Sequence, residues 1–172
     1  MKKNILVLVL TGILAGCNQP NPTPPPTPPD GNTLFKLYYI HNDVTKEILD
    51  GDTIIIDDYE YDAVLEYDQF LFDGELANIS EEEDFQLEVS VVRDSVTDGT
   101  TDELCLTPSC IPSNGKTTQT FNYKADIFPG MKVQFYAHCS PKTHGDYNIV
   151  YNFHAQGTVT PKVEVRVIYR YQ

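Results

Sequence analysis

The chain has 172 residues, with 25 acidic against 12 basic side chains and a formal net charge of −13 at neutral pH. That balance excludes electrostatic attraction to nucleic acid or to an anionic lipid surface, both of which require clustered lysine and arginine. The acids are unevenly spread: 21 lie between Asn42 and Leu104, against only Lys46 and Arg93, whereas Cys105 to Gln172 carries three acids and seven bases. This asymmetry reads as solubility plus contacts between the two halves, with cation binding or docking to a basic partner as the sharper alternatives.

At the N-terminus, Lys2 and Lys3 precede an apolar run from Ile5 to Leu14, which ends in Leu14-Ala15-Gly16-Cys17. A positive start, a short apolar run and small residues before a cleavage point are the parts of a secretory signal. The run is shorter than the roughly 20 residues that a membrane-crossing helix needs. Leu14-Ala15-Gly16-Cys17 resembles the lipobox of bacterial lipoproteins. The resemblance implies removal of residues 1–16, acylation of Cys17 (a palmitate-type modification) and anchoring through several acyl chains, where a single chain is marginal. Asn18 stands where an aspartate retains enterobacterial lipoproteins in the inner membrane, so the resemblance leans towards the outer membrane of the cell envelope. Whether the domain faces periplasm or surface stays open. From Asn18 to Asp30 the chain reads NQPNPTPPPTPPD. Proline at this density favours an extended polyproline II stalk, so residues 17–32 are read as a spacer and 33–172 as one domain of about 140 residues.

Within that domain, short apolar segments at Phe35–Ile40 and Thr53–Ile56 come first. Tyr61, Ala63, Leu65 and Tyr67 then alternate with polar neighbours, as do Phe85, Leu87, Val89 and Val91. Thr118–Tyr123 is a further candidate. Val133, Phe135 and Ala137, then Tyr147, Ile149, Tyr151 and Phe153, then Val163, Val165, Val167, Tyr169 and Tyr171 repeat the period of two. Such alternation puts one face in the core and the other in water, as in antiparallel sheets covered on one side. Asp50-Gly51, Asp73-Gly74, Asp98-Gly99, Asn114-Gly115, Pro129-Gly130 and Gly145-Asp146 read as turns. Only Gly74 to Glu83 is open to a helical turn. The prediction is all-β: an antiparallel β-sandwich of eight or nine strands.

Gly145-Asp146-Tyr147-Asn148-Ile149 resembles the tyrosine corner of immunoglobulin-like domains. The resemblance implies that the Tyr147 hydroxyl bonds nearby backbone, and it places Ile149 where antibody domains carry a cysteine. More broadly, Cys105-x4-Cys110 followed by Pro-Gly and the Gly-x-Tyr strand is similar to small immunoglobulin-like lipoproteins of Bacteroidetes, many of which have no assigned activity.

The candidate sites are few. Cys105 and Cys110 enclose a short loop that can close as a disulfide in an oxidising compartment, with a bridge from one of them to Cys139 as the alternative. Cys139 continues the inward parity of Val133, Phe135 and Ala137, as a buried free thiol does. Asp50, Asp52, Asp57 and Asp58, with Asp62 beyond, crowd enough carboxylates for a calcium loop, although the EF-hand order fails at Ile54 and Ile55. Tyr59, Tyr61 and Tyr67 among acids are a candidate platform for stacking a glycan, although parity turns Tyr61 and Tyr67 inward. No nucleophile elbow, phosphate loop or zinc-protease motif is present, so no catalytic residue is assigned. The expected function is a non-catalytic binding or accessory module in an envelope assembly, with a membrane anchor and an envelope protein partner. Capture of a glycan or other nutrient ligand is the first alternative and a small hydrolase the second.

Overall fold

The computed structural model describes residues 33–172 apart from Leu65, Asp98 and Pro161. The signal segment, Cys17 and the proline-rich segment therefore lie outside the described residues, as does the Asp98 half of the Asp98-Gly99 turn.

Twelve strands follow one another, and no helix occurs among the described residues. They are β1 (Phe35–His41), β2 (Val44–Ile48), β3 (Asp52–Ile56), β4 (Glu60–Asp62), β5 (Tyr67–Asn78), β6 (Phe85–Ser95), β7 (Thr101–Leu106), β8 (Ser109–Pro112), β9 (Thr118–Ile127), β10 (Lys132–Ser140), β11 (Gly145–Ala155) and β12 (Lys162–Tyr171). One sheet has the order β2-β1-β5-β10-β7-β8, with β4 also on β5; the other has the order β3-β12-β11-β6-β9. The two sheets face each other as an immunoglobulin-like sandwich. The alternation predicted along β6, β10, β11 and β12 is the burial pattern observed, with Val89, Phe135, Ile149, Phe153, Val165 and Val167 all inside.

The core is aromatic and closes across both sheets. Phe72 meets Tyr151 at a ring separation of 5.6 Å, and Phe135 meets Phe153 at 5.0 Å, both in tilted geometries that suit ring quadrupoles. One polar bridge also joins the layers. Arg93 of β6 grips Asp102 of β7 with Nε at 2.9 and 2.7 Å from the two carboxylate oxygens and Nη2 at 2.6 Å, and both side chains are buried. Its Nη1 donates to the Lys116 carbonyl at 3.0 Å. The tyrosine corner forms: the Tyr147 hydroxyl donates to the backbone carbonyl of Thr143 and accepts from Thr97 Oγ1 at 3.1 Å.

Several sequence expectations give way in the structure. The described residues form twelve strands rather than eight or nine, and among them β3 runs parallel to β12 where the other strand pairs are antiparallel. Gly74 is not a turn residue but lies inside β5, where no side chain fits: a Cβ there would stand 2.4 Å from Phe135 Cζ and 2.5 Å from the Tyr38 carbonyl oxygen. The strand continues through Asn78, so no helical turn forms between Gly74 and Glu83. Asn78 instead clasps the loop that follows, donating through Nδ2 to the carbonyls of Glu83 and Ile127, both at 2.8 Å, while Oδ1 accepts from Ser80 N. Finally, Tyr61 to Tyr67 is not one strand. Asp62 breaks it, its Oδ1 accepting from Val64 N and its carbonyl from Glu66 N, and Glu66 turns the chain with φ of 58°.

Candidate functional site

β5 is longer than either partner on one of its sides. β4 pairs with it from Tyr67 to Gln69, and β1 takes over from Asp73 to Asn78. Between them Phe70–Phe72 form no strand pair with either, and His41 at the end of β1 approaches Asp58 before β4 to 3.4 Å. The interruption opens into a groove of about 530 Å³. Its rim is the two-residue turn Asn42-Asp43, both with left-handed φ (47° and 64°), which joins β1 to β2 in a tight hairpin. Its opposite wall is Asp58, Tyr59 and Glu60, and its floor is Gln69, Leu71 and Asp73 of β5 with His138 of β10.

Four carboxylates therefore face one concavity, and no lysine or arginine lines it. His41 Nε2 lies 3.4 Å from Asp58. Burial raises the Asp73 carboxyl above its ordinary range, against the backbone hydrogen bond from Gly74. Tyr39, stacked on His41 at 5.7 Å, registers the same field. Burial first, then Asp58, Asp57 and Asp73, push its phenol up to about 12. His138 adds no compensating charge, because burial drives its pKa down despite Glu103, and its buried Nδ1 has no hydrogen-bond partner.

Tyr59 is held in the groove wall by an aromatic ladder. Its ring stands edge-on to Tyr171 at 5.3 Å and tilted to Phe70 at 5.4 Å. Tyr171 in turn stacks on His144 at 4.5 Å and donates its hydroxyl to Asp68. The result is a half-exposed ring fixed at its back.

The other sequence candidates are placed differently. Tyr61 is 63% exposed, against the inward orientation expected of it, because β4 is an outlying strand with no sheet above it. Tyr67 is half-buried rather than core, with Lys142 Nζ 5.7 Å from its ring centroid. Neither lines the groove. Asp50 lies in the turn before β3 and Asp52 opens the strand; Asp50 Oδ1 accepts from Glu164 N at 2.8 Å and Asp52 Oδ2 from Leu49 N at 2.9 Å. Asp57 and Asp58 follow the far end of β3, about 16 Å away at the rise of an extended strand. The structure does not gather these four carboxylates.

Cys105 and Cys110 are bonded across the β7–β8 hairpin, directly opposite each other, and Cys139 is free and buried. Glu103 lies close to both bridged sulfurs, but sulfurs joined to each other offer no thiolate to a metal. Around Cys139, His144 is exposed, whereas His138 and His154 are half-buried on opposite sheets. The groove residues Gln69, Asp73 and His138 carried no sequence signal, since what unites them is the handover of β5 from one partner to another.

No family model matches this sequence, and no curated protein matches it. Among solved structures, the N-terminal domain of PorA superposes with a TM-score of 0.54 at 11% identity, covering 79% of this chain and 97% of that one. This likeness is one of fold. A conjugative transposon lipoprotein from Bacteroides eggerthii (TM-score 0.34, 7% identity, 68% of this chain and 94% of that one) is more distant. So is CfaE, the adhesive subunit of the CFA/I fimbria of enterotoxigenic Escherichia coli (TM-score 0.39, 10% identity, 72% and 46%). Neither carries weight beyond a shared β architecture.

Proposed function

We propose that this chain is a non-catalytic lipoprotein of the cell envelope, anchored at Cys17 to the outer membrane, whose sandwich serves as a binding or accessory module in an envelope assembly. The observation that supports it best is the groove at the β5 handover: a concave, polar surface with four carboxylates, whose floor is formed by strands β5 and β10. The lipid sets location, the proline-rich segment sets reach, and the groove meets the partner. The test is chemical cross-linking and affinity purification of the full acylated protein from its native envelope, with mass spectrometry of the N-terminal peptide. A partner recovered at near-equal amounts and an acylated Cys17 are the expected results. An unmodified Cys17, or recovery of the chain alone, overturns the reading.

One observation favours a second reading, capture of a glycan or nutrient ligand: Tyr59 and Tyr61 are exposed, at 44% and 63%, rather than packed in the core. Sugars stack on such rings. A glycan-array signal that Tyr59→Ala abolishes is the expected result for this reading.

A further inference from the structure

On one side of the sandwich the two sheets end at β2 and β3, and the edges of this fold differ in how they meet solvent. β2 carries Lys46 and Glu47, and charged side chains blunt an edge. On the opposite side β8 is four residues long and ends in Pro112. β9 leans on that hairpin, with Gln119 Nε2 donating to the Pro112 carbonyl at 3.1 Å and the Tyr123 hydroxyl to the Thr107 carbonyl at 3.2 Å. β3 has no such guard. It reads Asp52-Thr53-Ile54-Ile55-Ile56, without lysine, proline or register shift, and Ile55 is 49% exposed. Its edge away from β12 meets no strand among the described residues. Gly51 N donates to the Glu164 carbonyl, so by alternation the odd residues face β12 and the even ones face the open edge. Asp52 gives its N–H to the Leu49 carbonyl, which leaves the backbone of Ile54 and Ile56 to a newcomer.

Beside this edge a cleft of about 220 Å³ opens between β2 and β3, lined by buried Ile48 and half-buried Tyr39 and Ile54. It shares no lining residue with the β5 groove. A strand laid along β3 turns every second side chain into that cleft. Main-chain pairing then supplies affinity and the cleft supplies specificity. Asp52 stands at one end of the edge, and the exposed Asp57 and Asp58 follow the other. We infer that the open edge of β3 adds an extended segment of a protein partner, with an aliphatic side chain seated in the Tyr39–Ile48–Ile54 cleft and basic residues at the ends of the segment. Residues 18–30 of this chain do not fit, because their prolines give no N–H to a ladder. A second copy does not fit either, because β3 against β3 sets Asp52, Asp57 and Asp58 of each chain beside carboxylates of the other. The inference goes beyond the module reading and concerns a separate surface, so either can fail alone.

The experiment titrates the full chain with a synthetic peptide of alternating valine and threonine that carries a lysine at each end. The same peptide with alternate backbone amides N-methylated, and the same peptide with serine for valine, serve as charge-matched controls. Affinity is read by calorimetry and location by amide hydrogen exchange. The parent peptide is expected to bind and to slow exchange of the Ile54 amide about tenfold. N-methylation, which removes ladder donors and leaves the charge, should weaken binding at least about tenfold, as should serine for valine. Ile54→Trp, which crowds the cleft, should also lose about tenfold, whereas Ile55→Trp, on the outward face of the same strand, should stay within about fivefold. If Ile54→Trp fails to fold, the two control peptides on the parent chain decide the matter. The inference is overturned if the peptide does not bind, if the N-methylated peptide binds as tightly, or if β3 becomes protected by raising protein concentration without peptide, which assigns the edge to a second copy. Protection confined to Gln69–Asp73 overturns it as well, while the module reading stands. Failure to recover a partner from the envelope sinks the module reading and leaves the peptide result at β3 untouched.

Discussion

Removing one half of the Arg93–Asp102 pair should cost far more than removing both. The pair joins the two sheets with side chains 5% and 3% exposed, and three N···O contacts between 2.6 and 2.9 Å hold it. Asp102→Leu leaves a guanidinium in the core with only the Lys116 carbonyl as partner. An uncompensated buried charge of this kind costs about 3–5 kcal/mol, whereas exchanging both partners for apolar groups of similar volume is close to neutral. Against the 5–15 kcal/mol that holds an ordinary domain together, roughly, the single variant retains only part of its margin. For a domain of this size the loss corresponds to a fall in Tm of about 10–15 °C. Urea unfolding of the parent, Arg93→Met, Asp102→Leu and the double variant, followed by far-UV circular dichroism, measures all four corners of the cycle. The expected coupling is at least about 2 kcal/mol in favour of the double variant. The reasoning is refuted if Asp102→Leu costs less than about 1 kcal/mol, or if the double variant costs the sum of the two single ones.

Gly74→Ala should destabilise the fold by about 1–3 kcal/mol through overpacking, because its Cβ would collide with Phe135 and the Tyr38 carbonyl; a melting curve matching the parent would contradict this. Alkaline titration of the eleven tyrosines should be biphasic. The Tyr171 phenol, hydrogen-bonded to Asp68, and the half-buried Tyr39 phenol are each pushed up to about 12, and burial raises Tyr151 and Tyr169 further. Folded values above the ordinary 10 mean that the contribution of these neutral phenols is complete below about pH 10 and is lost as pH rises through 12 and beyond. The late phenolate absorbance should therefore coincide with loss of the β-sheet dichroism. Cys139, fully buried with its thiol pushed far above the usual range by burial, should resist a thiol reagent in buffer and react in denaturant; fast labelling of the native protein at this residue would refute its placement.

Strands whose burial depends only on their own two faces were legible in the chain. Phe85 to Val91 and Val163 to Tyr169 alternate because one side packs on the opposite sheet and the other meets solvent, and a period of two records that directly. Gly74 was not legible in the same way. Asp-Gly marks a turn locally, yet the ring of Phe135, some sixty positions away, is what requires the missing side chain. The tyrosines divide along the same line. Tyr147 announces itself through Gly145 and forms its corner, whereas the outward positions of Tyr59 and Tyr61 follow from the short, outlying β4, whose length is set by the turn at Asp62. The groove belongs to the second kind: no residue in it is unusual, and its existence depends on where one strand stops and another starts beside β5.

The parallel pairing of β3 with β12 sets an order of events. Val165 lies opposite Asp52, and Tyr169 opposite Ile56, so β3 waits for a strand made more than a hundred residues later. β12 is also the sole link between β3 and the rest of its sheet. Contacts at such separation form late, after the chain has paid the entropy of closing a long loop. While β12 is still being synthesised, β3 has no strand to pair with in its sheet and β11 has one open edge. The sheet that holds β3 is therefore incomplete until β12 has been made, and β3 and β11 keep unpaired edges until then.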